Sequence, residues 1–283
     1  MRKIFVLLCV LVMAAACGAV AETRDEFSIV SIGPASTEII AALGFGGDIV
    51  AADEFSGNVP GIPDGVAVLD MMALDLEFII SKQPDVVFSI DMGDPFSVLT
   101  DAGIRVVLLP TSVSIAAVRD DIRFIAEVLG ADSDAIIAEM DGEIERIRGI
   151  GAGITQRRSV YFEVDAAPFM WSLGSGTFIH EMIELVGAVN IFAGESGWIP
   201  VTDEVLVALN PDVILTTVDF LDDPVGEIMG RPGWDVITAV REGAVFQIDS
   251  DAASRPSHNI VRALREIASA VYPEYFDSSN GGS

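Results

Sequence analysis

Two stretches of the sequence repeat one unit and decide the fold: LDLEFIISKQPDVVFSI at residues 74–90 and TDEVLVALNPDVILTT at residues 202–217. Each starts with a short apolar helix, passes through Pro-Asp and ends in a β-branched run typical of a buried strand. Each also has a glutamate seven residues before the proline, Glu77 in the first copy and Glu204 in the second. The repeat predicts two halves of similar construction.

Short β-branched runs alternate with helical stretches on both sides of the repeat, which indicates an α/β architecture with parallel strands. Strands are predicted at residues 27–32, 49–52, 85–90, 104–109, 160–164, 213–217 and 245–248. Helices are predicted at residues 36–43, 177–186, 202–209, 234–240 and 256–270.

Midway along the chain, two helices follow each other without a strand between them. Apolar residues step by three and four in both, as in Ile137, Met140, Ile144 and Ile147 of the second helix. We therefore predict two Rossmann-like lobes with small parallel sheets, joined by one long connecting helix. The predicted parts are an N-terminal lobe at 27–130, the connecting helix at 131–150, a C-terminal lobe at 158–276 and a disordered tail at 277–283.

The N-terminus predicts export, because two basic residues precede an apolar run over residues 4–16. Two processing sites overlap there. Cleavage after AVA would remove a signal peptide of residues 1–21. The box AAAC, which ends at Cys17, would instead remove residues 1–16 and leave an acylated cysteine that tethers the protein to a membrane. Both place the mature protein in the periplasm or on the outer face of the cytoplasmic membrane.

The charge excludes one large class of partner. A formal net charge of −27, with 16 basic residues against 43 acidic ones, repels nucleic acid and anionic lipid. A hydrophobic content of 51% is enough for one large core or two smaller ones. No second apolar run reaches membrane-spanning length.

No catalytic constellation appears in the sequence. GxSxG is absent, and the only two histidines, His180 and His258, make a poor transition-metal site, so we predict neither a metal nor a cofactor. We expect His180 to be solvated on the polar side of a helix and His258 to lie at the mouth of a cleft. A binding module is therefore favoured over a surface hydrolase, and a sensory protein remains a third hypothesis.

Several residues are candidates for ligand contact. Phe55, Trp171 and Trp198 fall in predicted loops near Gly or Pro, and Arg255 opens the last helix. A cleft between two α/β lobes, at the carboxyl ends of their strands, is where a ligand is expected. With His258, these residues form the predicted binding site.

Four further motifs resemble one protein family. They are IVSIGPASTEIIAALG at 29–44, TFIHEMIELVGAVNIF at 177–192, RPGWDVITAVREGAVFQID at 231–249 and SRPSHNIVRALREIA at 254–268. They are similar to periplasmic binding proteins of ABC importers for vitamin B12 and iron complexes, along residues 27–276. The resemblance implies a bilobal, helical-backbone substrate-binding protein that delivers a ligand to a permease dimer with its ATPase.

The resemblance also implies roles for particular residues. Glu77 and Glu204 match the glutamates with which the family docks onto arginines of the two permease subunits. The alternative is that both only complement a helix dipole. Phe55, Trp198 and Arg255 align with positions that touch corrinoid in the B12-binding members.

Four residues depart from the pattern of the B12-binding members, so the resemblance leaves the ligand open: Met71, Glu163, His258 and Asn259. Ferric catecholate and carboxylate chelates are polyanions that need several cations, whereas Arg255 is the one basic residue that we can place in the cleft. We therefore predict a cobalamin-like corrinoid, with a ferric siderophore or haem as the alternative.

Overall fold

The computed structural model describes residues 27–91 and 96–277, which contain two parallel β-sheets and their surrounding helices. The predicted signal peptide, the candidate lipidation site Cys17 and tail residues 278–283 lie outside the described residues. No helix in the described part is long and apolar enough to cross a membrane.

The strands alternate with helices along the chain. They are β1 Ile29–Ile32, β2 Ile49–Asp53, β3 Ala67–Leu69, β4 Val86–Ile90, β5 Arg105–Leu109, β6 Ser159–Glu163, β7 Trp171–Leu173, β8 Val189–Asn190, β9 Trp198–Pro200, β10 Val213–Thr216 and β11 Val245–Gln247. The helices are α1 Pro34–Ile40, α2 Leu76–Lys82, α3 Ser97–Asp101, α4 Ile115–Leu129, α5 Asp134–Gly151, α6 Phe178–Leu185, α7 Asp203–Leu209, α8 Pro224–Met229, α9 Thr238–Glu242, α10 Ser250–Ser254, α11 Ile260–Val271 and α12 Pro273–Phe276.

Each half of the described chain forms its own parallel sheet. The first has the order β3-β2-β1-β4-β5 and the second the order β11-β10-β6-β8. The first order matches the first five strands of the Rossmann order, in which the direction of strand addition reverses beside β1. The α/β fold predicted from the alternating pattern is therefore confirmed.

The long helix α5 separates the two sheets in the chain. Its buried residues are Ile137, Met140, Ile144, Ile147 and Gly151, the first four being the predicted stripe. The last of them, Gly151, meets the chain after α6 so closely that a Cβ there would lie 2.2 Å from the Leu185 carbonyl oxygen. Only glycine permits this contact, which fixes the end of α5 against the second half of the molecule.

One hydrophobic cluster runs through both halves. It joins buried residues of the first sheet such as Ile29, of α5 such as Ile144, and of the second sheet such as Val160. Because close-packed interiors resist deformation, a continuous core couples the two sheets mechanically.

Several predicted elements differ from the observed ones. The helix predicted at 256–270 begins only at Ile260, as α11, and the short helix α10, which ends before Pro256, was not predicted. Pro256 separates the two helices because it cannot continue a helix with normal backbone bonding. Trp171 and Trp198 were expected in loops, but they lie in β7 and β9, which pair antiparallel. These strands have only three residues each, too short to give an alternating pattern.

Candidate functional site

A cavity of about 480 Å³ opens at the carboxyl ends of β6 and β10. Its wall contains residues that follow these strands, such as Asp165 and Thr217, together with Phe178 at the start of α6 and Ala253 of α10. Ligands of parallel α/β sheets bind at this end, and the volume lies within the usual range for small-molecule sites. The second half of the molecule therefore supplies a preformed pocket.

Two of the predicted aromatic residues line this cavity. The register of β7 and β9 pairs Trp171 with Pro200 and Leu173 with Trp198. The Trp171 side chain is 39% exposed and that of Trp198 is 62% exposed. Large apolar rings held on paired strands but left open to solvent are typical of a surface that a ligand will cover.

Phe55 lies in the 3₁₀ turn that follows β2, so it belongs to the other half of the molecule, and its side chain is 57% exposed. The Asp53 carboxylate fixes this turn by accepting hydrogen bonds from the Phe55 and Gly33 backbone N–H groups, both at 2.9 Å. The Phe55 carbonyl accepts a bond of 2.9 Å from the Arg255 guanidinium. Phe55 does not line the cavity, but its turn is bonded to the segment that follows α10.

Arg255 is buried rather than free. Its guanidinium pairs with Glu38 at 3.1 Å and with Asp251 at 2.6 Å, and it donates to the Asn58 side chain at 3.1 Å. Arg255 is not among the described residues that line the cavity. The predicted contact between Arg255 and the ligand therefore stays a prediction, and the structure gives this residue a set of protein partners.

The two histidines lie apart from the cavity wall. His258 is half-buried, its Nδ1 atom has no hydrogen-bond partner among the described residues, and burial lowers its pKa, although the charges of Glu38 and Glu139 oppose that shift. His180 is also half-buried, with its Nδ1 atom 3.4 Å from the Asn190 side-chain nitrogen. The expectation of a solvated His180 is therefore wrong, because its helix packs against β8.

A buried ion pair lies at the end of β6, between two sequence neighbours that line the cavity, Phe162 and Val164, and sequence reasoning missed it. Glu163, the last residue of β6, accepts two bonds from Arg231, at 2.6 and 2.9 Å, and Arg231 also pairs with Glu227 and stacks on the Trp234 ring. Burial raises the pKa of Glu163, and the hydrogen bonds and charge of Arg231 offset part of that rise. The partners are 68 residues apart, so no local pattern links them.

The cavity wall contains acidic side chains and no lysine or arginine among the described residues. Asp165 and Asp219 both line it. The nearby cations Arg231 and Arg255 are already bonded to carboxylates. An anionic ligand would therefore find no free positive charge there, whereas a neutral or cationic one would meet carboxylate acceptors.

The repeated unit keeps its geometry in both halves. Glu77 is the second residue of α2 and Glu204 the second of α7, and each helix has seven residues. Each helix ends at a non-glycine residue in the left-handed region, Gln83 with φ 47° and Asn210 with φ 46°. The sequence repeat is thus a structural repeat down to its strained helix ends.

The Pro-Asp pair that follows each helix also has the same partners. The Asp85 carboxylate accepts bonds from the Ser28 backbone at 2.8 Å and the Ser28 hydroxyl at 3.1 Å. The Asp212 carboxylate accepts from the Ser159 backbone at 2.8 Å and the Ser159 hydroxyl at 2.7 Å. Each aspartate thereby ties its unit to the start of the central strand of its own sheet.

The two glutamates are exposed, and α2 and α7 both begin on the side where the strands of their sheets end. Hydrogen bonds from its own backbone N–H and from the Thr202 hydroxyl lower the pKa of Glu204. The molecule thus presents one exposed carboxylate on each of two matched helices, one in each half.

No group of three or more histidine, cysteine or acidic side chains in residues 27–91 and 96–277 could hold a metal ion. The arrangement is that of a binding site: exposed aromatic rings and carboxylate acceptors around a cavity.

Comparisons with known proteins agree with this arrangement. Residues 29–252 match the model of a family described as "Periplasmic binding protein". An ABC transporter substrate-binding lipoprotein of Bacillus subtilis (strain 168), YvrC, described as uncharacterized, is 31% identical over 89% of this chain and 82% of its own length. A vitamin B12-binding protein of Vibrio parahaemolyticus is 23% identical over 88% of this chain and 89% of its own length.

Among solved structures, the apo form of the periplasmic heme-binding protein RhuT from Roseiflexus sp. RS-1 superimposes with a TM-score of 0.76 at 26% identity. The superposition covers 87% of this chain and 98% of that one. These proteins are similar along nearly the whole described chain, but their names differ in the ligand.

Proposed function

The chain belongs to the periplasmic binding protein family, and from that premise we propose that it captures a cobalamin-like corrinoid between its two halves and delivers it to an ABC permease. It is an extracytoplasmic substrate-binding protein of an ABC importer of the vitamin B12, iron-siderophore and haem class. As such it is a transport component and not an enzyme. The identity of the ligand is the part that we propose.

The observation that carries this choice is a cavity bordered by exposed tryptophans and lined by no cation of the described residues. Trp171 and Trp198 offer flat apolar surface to a large ring system, and Asp165 and Asp219 offer acceptors for its edge. A corrin ring matches both features, because its flat ring system can pack against the tryptophans and its amide side chains can donate hydrogen bonds to the aspartates. It also has little net charge. We propose that Phe55 covers the ligand from the other half.

Haem or a ferric chelate is the alternative, and the similarity to a heme-binding protein supports it. Haem needs an axial ligand such as histidine, methionine or tyrosine. Neither His180 nor His258 is among the described residues of the cavity wall, although Met72, with 92% exposure, follows β3 near the Phe55 turn. Corrinoid is favoured because its propionate-derived groups are neutral amides, whereas those of haem are anionic carboxylates.

For delivery, we propose that Glu77 and Glu204 dock onto basic residues of the two permease subunits. A two-fold symmetric permease has the same basic site on each of its two subunits. This molecule has one exposed carboxylate on each of two matched helices. The charge reversal Glu77→Arg with Glu204→Arg should abolish uptake by cells but leave ligand affinity unchanged. Lys82→Glu, at the far end of α2, is the matched control. Normal uptake by the double variant would refute docking.

We further propose that the mature protein is anchored through an acylated Cys17. The similarity to a lipoprotein at 31% identity supports this reading over simple cleavage after residue 21. Mass spectrometry of the processed protein distinguishes the two, because acylation adds the mass of its lipid groups to a chain that starts at Cys17.

Tryptophan fluorescence tests the ligand, since two of the three tryptophans line the cavity. The protein is titrated in parallel with cobinamide, cyanocobalamin, a ferric hydroxamate, a ferric catecholate and haem, and hits are verified by calorimetry. We expect saturable binding of the corrinoids alone. Saturable binding of haem or of a ferric chelate, with none of either corrinoid, would overturn the choice of ligand but leave family membership intact.

A further inference from the structure

A buried carboxylate of the first half is bonded by donors of the second half. Glu38, on α1, is 6% exposed. It accepts hydrogen bonds from the Arg255 guanidinium at 3.1 Å, from the Asn259 side chain at 2.9 Å and from the Ser257 hydroxyl. All three donors come from the short segment between α10 and α11, more than 200 residues away in the chain.

Arg255 also links Glu38 to the turn that contains Phe55. It also bonds the Phe55 carbonyl at 2.9 Å, the Asp251 carboxylate at 2.6 Å and the Asn58 side-chain oxygen at 3.1 Å. Asn58 in turn donates to Asp251 at 2.5 Å, which closes a ring of bonds across the two halves. The turn that presents Phe55 is therefore tied to α10, a helix that forms part of the cavity wall.

These bonds are of the kind that set geometry. Charge-assisted hydrogen bonds are shorter and stronger than neutral ones, and a buried carboxylate that loses its partners is left with an uncompensated charge. Glu38 cannot satisfy these bonds if the halves rotate apart, because its donors belong to the other half. It thus favours the separation of the halves that the structure shows.

We infer that Glu38 is a positioning residue for ligand capture: it holds Arg255, which holds the Phe55 turn at a fixed distance from the cavity. The inference rests on the proposed function for its ligand and deepens it by naming the residue that sets the width of the cleft. Neither Glu38 nor Arg255 needs to touch the ligand for this role. Because these bonds fix the separation of the halves, we expect only a small rotation of the halves when a ligand binds.

The test measures the distance between the halves directly. In a full chain with Cys9→Ser and Cys17→Ser, spin labels are attached through Lys82→Cys on α2 and Glu242→Cys on α9, both exposed. Distance distributions are recorded for Glu38→Ala, for the conservative Glu38→Gln and for Asp85→Ala. Asp85 is the matched control, because its carboxylate bonds Ser28 within one half.

We expect Glu38→Ala to broaden or shift the distribution, Glu38→Gln to restore most of it and Asp85→Ala to leave it unchanged. Saturating cobinamide should return the Glu38→Ala distribution towards that of the parent. If about a tenth of the variant retains the competent geometry, its Kd rises about tenfold. An unchanged distribution in folded Glu38→Ala, or an equal change in Asp85→Ala, would overturn the inference.

Asn58→Ala keeps the test decisive if Glu38→Ala does not fold. Asn58 is exposed, and its loss opens the ring between the Phe55 turn and Asp251 but leaves the buried pair intact. We expect the distance distribution of Asn58→Ala to change as that of Glu38→Ala does, but by less. An unchanged distribution would count against the inference. The distance between the labels is measured without ligand. If the protein binds no corrinoid, the proposed function is refuted, but the distance measurement still tests the role of Glu38.

Discussion

Removal of the Trp198 side chain should weaken ligand binding without destabilising the fold. A tryptophan offers on the order of 240 Å² of surface, and 62% exposure leaves roughly 150 Å² of it open to a ligand. At about 25 cal/mol per Å², complete coverage would contribute about 3–4 kcal/mol. A ligand that covers one face realises about half of that, so Trp198→Ala should raise Kd roughly 30-fold.

The matched control is Trp234, which is 0% exposed, packs edge-on against Tyr161 and donates its ring N–H to Asp203 at 2.8 Å. Trp234→Phe removes that donor from a buried site, so the free energy of unfolding should fall by about 1–3 kcal/mol. Its Kd should stay within about threefold of the parent, because Trp234 does not line the cavity among the described residues.

Calorimetry measures Kd for both variants, since fluorescence would change with the number of tryptophans, and urea unfolding measures stability. Trp198→Ala should leave the free energy of unfolding within about 0.5 kcal/mol, as is usual for exposed positions. The reasoning would be refuted if Trp198→Ala left Kd within threefold of the parent, or if affinity fell only together with stability.

Three further predictions concern buried and titrating groups. Arg231→Met should lower the free energy of unfolding in urea by about 3–5 kcal/mol, because it leaves Glu163 buried without its partner. Adding Glu163→Met to the same chain should recover most of that loss. A loss under about 1 kcal/mol in Arg231→Met alone would contradict the pairing. Hydrogen bonding from Arg146 helps to lower the pKa of Glu143 to about 2. The ionised Glu143 should therefore stabilise the fold by about 1 kcal/mol after solvent screening, fully above pH 4.5 and progressively less as the pH falls towards 2. Acid unfolding curves of Glu143→Gln should lack this loss. Burial lowers the pKa of His258, so stability should decline as the pH falls below about 6.5, where the unfolded chain takes up the proton first, and His258→Gln should remove that slope.

The sequence was most informative where structure is built from local contacts. The repeated helix, Pro-Asp and strand predicted matched units, because a proline cannot extend the helix and β-branched residues favour the following strand. The left-handed residues Gln83 and Asn210, which end α2 and α7, lie directly before these prolines. Residues 137, 140, 144 and 147 were predicted as one buried stripe for the same reason, since helical periodicity is a local property.

Contacts between distant parts of the chain could not be predicted in this way. Arg255 was expected at the ligand, yet its partners Glu38 and Asn58 lie 217 and 197 residues away. Nothing in the segment SRPSHN specifies which carboxylate a guanidinium meets once two halves pack together. Trp171 and Trp198 were likewise found as candidates by their type and flanking residues, whereas their pairing on β7 and β9 depends on chain packing.

The pairing of Arg255 and Arg231 with buried carboxylates restricts the ligand more than the overall negative charge does. A net charge of −27 is screened by salt over about 8–10 Å, so by itself it would slow a polyanion without excluding it. An anion that reached Arg255 or Arg231 would have to displace Glu38 or Glu163, which are 6% and 0% exposed, and would leave those carboxylates unpaired. Unpaired buried charge is costly, whereas a neutral amide edge can bond Asp165 and Asp219 without disturbing either pair. Within the described residues, Arg255 and Arg231 are thus already paired with carboxylates and are not free to attract a ferric chelate.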